Sequence, residues 1–317
     1  MMANEDPDGS ITLPCPAKLN LALSVGAPRP VDGLHPIASW MATIDLCDEL
    51  TLARRPDESL TLIGRAWHAE APVRSDLEWP LDRDLVARAH TAMERAAGRP
   101  LKVKATLRKR IPVGAGLGGG SSNAAATLVG LNRLFELGFS QADLENIGFT
   151  LGSDVAFFIR GGAAIVEGLG ETIESIDSPV AFHAVVAMPG FGCATGQVYK
   201  TFDRWGPSGT GVAEAVADGA RVRGAIGAAA RGTLRPDAPL WNDLAFSACD
   251  VAPRLAGIRE ELEELAGAPA HVTGSGSTVF ALCADECTAL ALAEHASRAL
   301  DLPVRPVRGP ATSGGAA

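Results

Sequence analysis

The chain has 317 residues, 47% of them hydrophobic and 21% charged, with a formal net charge of -9 at pH 7. That length suits one large domain or two ordinary ones with a real core. The acidic balance argues against nucleic acid as the main partner, yet leaves room for a locally positive pocket that takes an anionic substrate. The N-terminal stretch is acidic and lacks a basic segment followed by an apolar run, and no apolar stretch reaches the length of a membrane span. Cys15, Cys47, Cys193, Cys249, Cys283 and Cys287 are scattered without zinc-site spacing. Together these features imply a cytoplasmic protein with reduced thiols and neither membrane nor nucleic-acid partner.

Leu19–Val25 reads as a strand entered from a Pro-rich turn, and 42–46 and 50–53 as further strands separated by a turn at Asp48 and Glu49. Pro56–Pro80 has no clean periodicity. Apolar residues recur at helical spacing from Asp82, a candidate cap, to Ala97, with Gly98 placed to end the helix. Strand 101–107 alternates, with Val103 and Ala105 on one face. A helix opening at Ser121 or Ser122 runs to Phe135; Gly138 breaks it, and Ser140 caps a short helix to Ile147 with Asp143 at its third position. Strands follow at 163–166 and 181–187. After them come a turn at Pro207–Gly211 and a glycine-weakened helical stretch at 212–230. Helix 255–265 closed by Gly267, strand 278–282, helix 286–300 and strand 304–307 complete the chain. The mixture of alternating elements and hairpin-like pieces implies an α+β two-layer architecture with a boundary near 170–180.

The most informative segment is PVGAGLGGGSSNAAA at 112–126, between a strand and a helix. Five glycines in the seven positions from Gly114 to Gly120 leave backbone N–H groups uncovered, and the following helix turns its orphan N–H groups and positive dipole end toward them. Phosphate is the natural occupant of such a site. The lysine that a Walker A loop needs after its glycines is absent. A dinucleotide fingerprint asks for an acidic residue about 20 positions on after a strand, whereas Glu136 follows a helix. Gly119 and Gly120 are read as leaving room for a phosphate.

Three more segments carry chemistry-bearing residues. Lys18 and Asn20 stand polar at the mouth of an apolar strand in PCPAKLNL; taken alone, Lys18 reads equally as a surface charge. Asp154 lies in the small and apolar run TLGSDVAFF, either as a helix cap or as a carboxylate that orients a substrate hydroxyl for phosphoryl transfer. Gly274, Ser275 and Gly276 form a second Gly/Ser turn in VTGSGSTV, either a close approach to ligand or an ordinary tight connection.

In this order PCPAKLNL, PVGAGLGGGSSNAA, LGSDV and TGSGSTVF resemble the signature regions of the GHMP kinase superfamily, and the match spans the whole chain. DGLHPI at 32–37, LGSDVAFFIRGGAAIVEGLGE at 151–171 and NDLA at 242–245 bring it nearer to the 4-diphosphocytidyl-2-C-methyl-D-erythritol kinases of non-mevalonate isoprenoid synthesis. The resemblance implies an N-terminal ribosomal-protein-S5-like catalytic and ATP-binding domain over 1–172 and a C-terminal α/β-sandwich GHMP domain over 173–317. It implies a cytidine-diphosphate-linked polyol as substrate, ATP as donor, and Mg²⁺ carried by the phosphates, with no dedicated metal cluster. By the same resemblance Lys18 and Asp154 are the catalytic pair. Pro112, Gly114, Gly116, Leu117, Gly118, Gly119, Gly120, Ser121 and Ser122 hold ATP, and Ser121 or Ser122 lies near the metal. Asn20, His35, Asp154, Thr195, Tyr199, Gly274, Ser275 and Gly276 line the substrate site, with His35 and Tyr199 on the cytosine. One departure stands out: the family's usual Asp-Gly-Tyr/Phe-His reads Asp-Gly-Leu-His here, and loss of that aromatic face at Leu34 costs about 1 kcal/mol of stacking. The alternatives are a related kinase acting on mevalonate, homoserine or a sugar, and a non-catalytic nucleotide-binding protein of the same fold.

Overall fold

The computed structural model describes residues 4–5, 9–55, 62–75, 77, 80–177, 180–207, 217–229 and 234–310. The first elements are β1 (Asn4–Glu5), β2 (Ser10–Val25), β3 (Ile37–Arg54), β4 (Leu62–Trp67), α1 (Leu85–Ala97) and β5 (Val103–Lys109). They are followed by α2 (Gly119–Leu134), α3 (Gln141–Phe149), α4 (Val155–Arg160), β6 (Ala163–Gly168) and β7 (Thr172–Ser175). Then come β8 (Phe182–Ala187), α5 (Thr195–Trp205), α6 (Gly219–Ala229), β9 (Trp241–Asn242), α7 (Ala245–Val251) and α8 (Arg254–Ala266). The last are β10 (Ala270–Val272), β11 (Val279–Cys283), α9 (Glu286–Ala299) and β12 (Val304–Gly309). The first sheet has the path β1-β2-β3-β5-β4, with β6 and β7 added on β3 and β9 lying parallel to β2; the second runs β10-β11-β8-β12, all antiparallel. No helix among the described residues is long and apolar enough to cross a membrane.

Several expectations need correction. The chain does not turn at Asp48 and Glu49: β3 runs straight through them, pairing β6 with its first half and β5 with its second. Asp48 was read as a turn residue because a carboxylate inside a strand is costly to bury. It is buried all the same. Its Oδ2 accepts from Lys109 Nζ at 2.5 Å, and its Oδ1 accepts from the N–H groups of Arg110 and Ile111 at 2.6 and 2.8 Å. The cap of α1 is Asp84, which accepts from the Ala87 N–H, and not Asp82, which lies in a preceding single turn. Helix α2 opens at Gly119, two or three residues before the serines. The cap at Ser140 is as expected and is completed by Asp143 into a reciprocal capping box. Helices α5 and α7 and the short strand β10 have no counterpart in the sequence reading, whereas α4 does begin just after Asp154. Residues 208–211 of the expected turn and 212–216 of the expected helix lie outside the described residues, as does part of 56–80; α6 is described from Gly219.

The first sheet is covered by α1 to α4. Leu13, Leu50, Leu52, Leu107, Leu128, Phe157 and Phe158 are buried between them. A second apolar layer, with Trp40, Phe182 and Phe280, sits between the two sheets, and a third packs α5, α7, α8 and α9 on the far face of the second sheet. On β10, at the edge of the second sheet, His271 leans on Phe280, and its Nε2 is buried without a hydrogen-bond partner. Burial pulls its pKa from 6.5 down to about 4. Folded His271 therefore stays neutral where the unfolded chain already takes a proton. The unfolded state binds more protons between about pH 6.5 and 4, so this group lowers stability progressively on acidification through that window. The full loss is on the order of 3 kcal/mol. Urea midpoints at pH 7 and 4.5 are expected to differ less in His271→Gln than in the wild type.

Candidate active site

Two irregularities in the β2–β3 register, between Pro16 and Ala17 and between Asn20 and Ala22, bracket Lys18 and Asn20. Such bulges re-aim side chains out of the ordinary alternation. Lys18 is only 4% exposed, so the surface-charge reading fails. Its Nζ donates to the Gly116 carbonyl at 2.6 Å and to Asn20 Oδ1 at 2.5 Å. Asn20 spends its other amide atom on Ser39 Oγ at 2.8 Å, so it acts as a brace for Lys18 inside the protein.

The two glycine turns meet around this lysine. Gly116 has φ +77°, and a Cβ there would stand 2.5 Å from the Thr273 carbonyl; Gly274 has φ +57°, and a Cβ there would stand 3.1 Å from Lys18 Nζ. Both are glycines because backbone passes backbone and ammonium at distances no side chain permits. The stitching continues with Lys18 N–H to Leu117 O at 3.0 Å, Thr278 N–H to Ala115 O at 3.1 Å and Asn20 N–H to Thr273 Oγ1 at 3.0 Å. Asn242 on β9 clamps the second turn from behind, donating to the carbonyls of Val272 and Gly274 at 2.7 and 2.8 Å.

Beside Lys18 opens a cavity of about 630 Å³, lined by 112–121 together with Asn123, Lys109, Thr195 and the start of α1. Pro112, Gly114, Gly116, Leu117, Gly118, Gly119, Gly120 and Ser121 all border it; Ser122 is fully buried one residue further into α2, its Oγ without a partner. A Cβ at Gly119 would meet Ile111 in the core at 2.9 Å, so Gly119→Val tests packing and not phosphate room. At Gly120 a Cβ meets only the tip of Leu85, at 3.2 Å. Gly120→Val is therefore the informative change: folding is expected to survive while ATP affinity falls roughly tenfold by equilibrium titration.

Asp154 begins α4, yet its side chain makes no capping bond, which removes the alternative account of its presence. Its negative charge acts on two other groups. Burial lowers the Lys18 ammonium below its ordinary value, and Asp154 opposes that shift. Burial first, and Asp154 second, raise the Tyr199 hydroxyl to about 12. Lys18, Asp154 and Tyr199, far apart in the chain, therefore share one electrostatic neighbourhood. Tyr199 packs on His35 with ring centroids 4.9 Å apart, and Thr195 Oγ1 meets Ser275 Oγ at 2.9 Å, tying α5 to the second glycine turn. Ser275 and Gly276 thus belong to the wall between α5 and Lys18. Leu34 is 52% exposed at the tip of the preceding loop.

Models of the GHMP kinases N terminal domain and the GHMP kinases C terminal domain match residues 84–162 and 229–302. A 4-diphosphocytidyl-2-C-methyl-D-erythritol kinase from Geobacter metallireducens is 35% identical over 94% of this chain and 98% of its own length. The chain belongs to the GHMP kinase family. It is an ATP-dependent small-molecule kinase with the family's two-domain α+β fold. Among solved structures, 4-(cytidine 5'-diphospho)-2C-methyl-D-erythritol kinase superposes with a TM-score of 0.73 at 31% identity, covering 94% of this chain and 98% of that one. Homoserine kinase from Cytophaga hutchinsonii shares the fold at 16% identity, with a TM-score of 0.65 over 97% and 96% of the two chains.

Sequence reasoning missed two features of this kinase's site. One is the Asp48–Lys109 pair, which anchors the entry to the glycine loop; its signal is that Lys109 falls on the same alternating face of β5 as Val103, Ala105 and Leu107. The other is the helix α5 that carries Thr195 and Tyr199, whose strongly one-sided Val198 and Phe202 were overlooked.

Proposed function

We propose that this kinase transfers the γ-phosphoryl of ATP to the 2-hydroxyl of 4-diphosphocytidyl-2-C-methyl-D-erythritol, in non-mevalonate isoprenoid precursor synthesis. The observation that carries this reading is the tie between α5 and the second glycine turn: Thr195, which borders the glycine-loop cavity, bonds Ser275 beside the Gly274 that abuts Lys18, and the same helix carries Tyr199 against His35. Asp154, whose charge acts on both Lys18 and Tyr199, links the transfer centre to an aromatic site for a pyrimidine. The names and coverage of the relatives point the same way. The division near residue 172 belongs to the same reading: an ATP-binding half built on the first sheet, whose last hairpin strand ends at Ser175, and a C-terminal half built on the sheet that begins with β8.

The γ-phosphate lies toward Lys18, with the remaining phosphates on the N–H groups of Gly118 to Ser121 at the start of α2. Asp154 accepts the hydrogen bond of the substrate hydroxyl, aligns its oxygen with the γ-phosphorus and takes the proton as the O–P bond forms and the bond to ADP breaks. Late proton transfer in a loose transition state asks little basicity of a carboxylate. Lys18 places positive charge beside the nucleophile and the transferring oxygens. Transfer is direct, with inversion at phosphorus and no phosphoenzyme. The Ser122 hydroxyl, an orphaned buried oxygen at the first turn of α2, and Ser121 fit a place near a phosphate-bound Mg²⁺. No cluster of three or more His, Cys, Asp or Glu suited to holding a metal occurs among the described residues. Held beside Ser121 and Ser122, Mg²⁺ would neutralise negative charge on the nucleotide phosphates.

Competition tests the reading. Cytidine diphosphate is expected to inhibit competitively against the polyol substrate and not against ATP. Absence of inhibition at millimolar concentration would contradict a cytidine site and favour a substrate suited to the aliphatic Leu34.

A further inference from the structure

The stacked pair has an acidic neighbour that the reaction does not use. Asp203 lies on α5 four residues after Tyr199, so both side chains leave the same face of that helix. The His35 ring rests on Tyr199 at 4.9 Å with a 40° tilt and meets Phe202 edge-on at 5.9 Å. Its Nδ1 is 2.9 Å from the Gly26 carbonyl oxygen, and its Nε2 is 3.3 Å from Asp203 Oδ1. The His35 side chain is 6% exposed, whereas that of Asp203 is 41% exposed.

These contacts settle what the imidazole can do. The Gly26 carbonyl only accepts, so Nδ1 carries a proton and points at backbone. The opposite nitrogen, Nε2, is the one Asp203 meets; a carboxylate also only accepts, so this contact is a hydrogen bond in the ring that carries a proton on Nε2 as well. Both nitrogens are engaged inside the protein, and the ring serves as a fixed wall beside Tyr199, not as a donor free to swing toward a ligand. Without Asp203 the Gly26 contact would be the ring's one polar restraint, leaving packing against Tyr199 and Phe202 to hold its tilt. We propose that Asp203 is a positioning residue for pyrimidine recognition: by holding His35 Nε2 it keeps the imidazole seated on Tyr199, so that the aromatic surface for the base is built before ligand arrives. The inference rests on the cytidine reading above. Its physical basis is preorganisation, since a wall already ordered in the free protein costs nothing further to order on binding. Among the described residues no hydrogen bond or ion pair joins Asp203 to Lys18 or the glycine loop, so its loss falls on base affinity and spares the transfer step.

The test uses a property of this chain: Tyr199 is its sole tyrosine. Full-length protein labelled with 3-fluorotyrosine therefore gives one ¹⁹F resonance, located in the pocket, and cytidine diphosphate is the probe titrated against it. The wild-type line is expected to shift saturably. Asp203→Ala is expected to bind cytidine diphosphate about tenfold more weakly, with kcat at saturating substrate and KM for ATP unchanged. Asp203→Asn, whose amide still bonds Nε2, is expected to recover affinity to within about threefold. Asp203→Ser, polar but too short to reach the ring, repeats the Ala result in a second background. Wild-type affinity in the Ala and Ser variants overturns the inference while leaving the cytidine site standing. Tighter binding in them also overturns it, by making the carboxylate a competitor of the base. A wild-type resonance unmoved by millimolar cytidine diphosphate overturns the cytidine reading and this inference together.

Discussion

Asp154→Asn is expected to lower kcat by roughly 10²–10⁴-fold, the scale of general acid–base assistance, with KM for ATP little changed. The substitution keeps size and shape and removes charge and basicity. Since Asp154 makes no capping bond in α4, its loss should leave circular dichroism and Tm near wild type. The effect has two sources. The substrate hydroxyl loses the group that takes its proton, and Lys18 loses the negative charge that opposes the effect of its burial. The Lys18 ammonium then falls further below its ordinary value, so the variant's residual activity should decline at lower pH on the alkaline side than the wild type's. Single-turnover rates across that limb check both parts, and a folded variant with near-wild-type kcat would return Asp154 to a structural role.

Lys18→Met is expected to cost roughly 10²–10³-fold in kcat, in the range seen when one preorganised electrostatic contact to a transition state is removed. Methionine preserves most of the side chain's volume in the slot bounded by Gly118 and Gly274, so the cavity that alanine would leave is avoided. The carbonyl of Gly116 and the Oδ1 of Asn20 lose their donor, each at about 1–3 kcal/mol if water does not replace it. Part of that is returned, because a buried ammonium is itself costly. A modest fall in Tm with a large fall in kcat is the expected pattern. Because the charge of Asp154 acts on Lys18 and both serve one transfer step, the double variant should be less impaired than the product of the single effects. Multiplicative losses would show that the two act independently.

The binding loop was legible because its demands are local. Glycines that uncover N–H groups and a helix that starts beside them are adjacent in sequence, so 112–126 could be read as an anion site from its own residues. Lys18 and Asp154 were legible only as candidates, since each had an ordinary alternative that sequence cannot remove. Burial removed it for Lys18, and the missing capping bond removed it for Asp154. What stayed hidden depends on long-range pairing. Asp48 reads as a turn residue until Lys109, 61 positions later, is seen to neutralise it within the sheet. Asn20 reads as a residue that faces ligand until Ser39 and Lys18 are seen to use its amide. His35 reads as a residue on the cytosine until Gly26 and Asp203 are seen to face both its nitrogens. Helix α5 was missed because the stretch FGCATGQVYKTF begins with glycines and small residues that mask its apolar stripe.

The most direct test of the account is ADP release with Mg-ATP against four acceptors compared side by side: diphosphocytidyl-methylerythritol, mevalonate, homoserine and galactose. The expected result is rapid turnover with the cytidine-linked polyol alone, abolished in Asp154→Asn. Preferred turnover of any of the other three, or none with the cytidine-linked polyol, would contradict it.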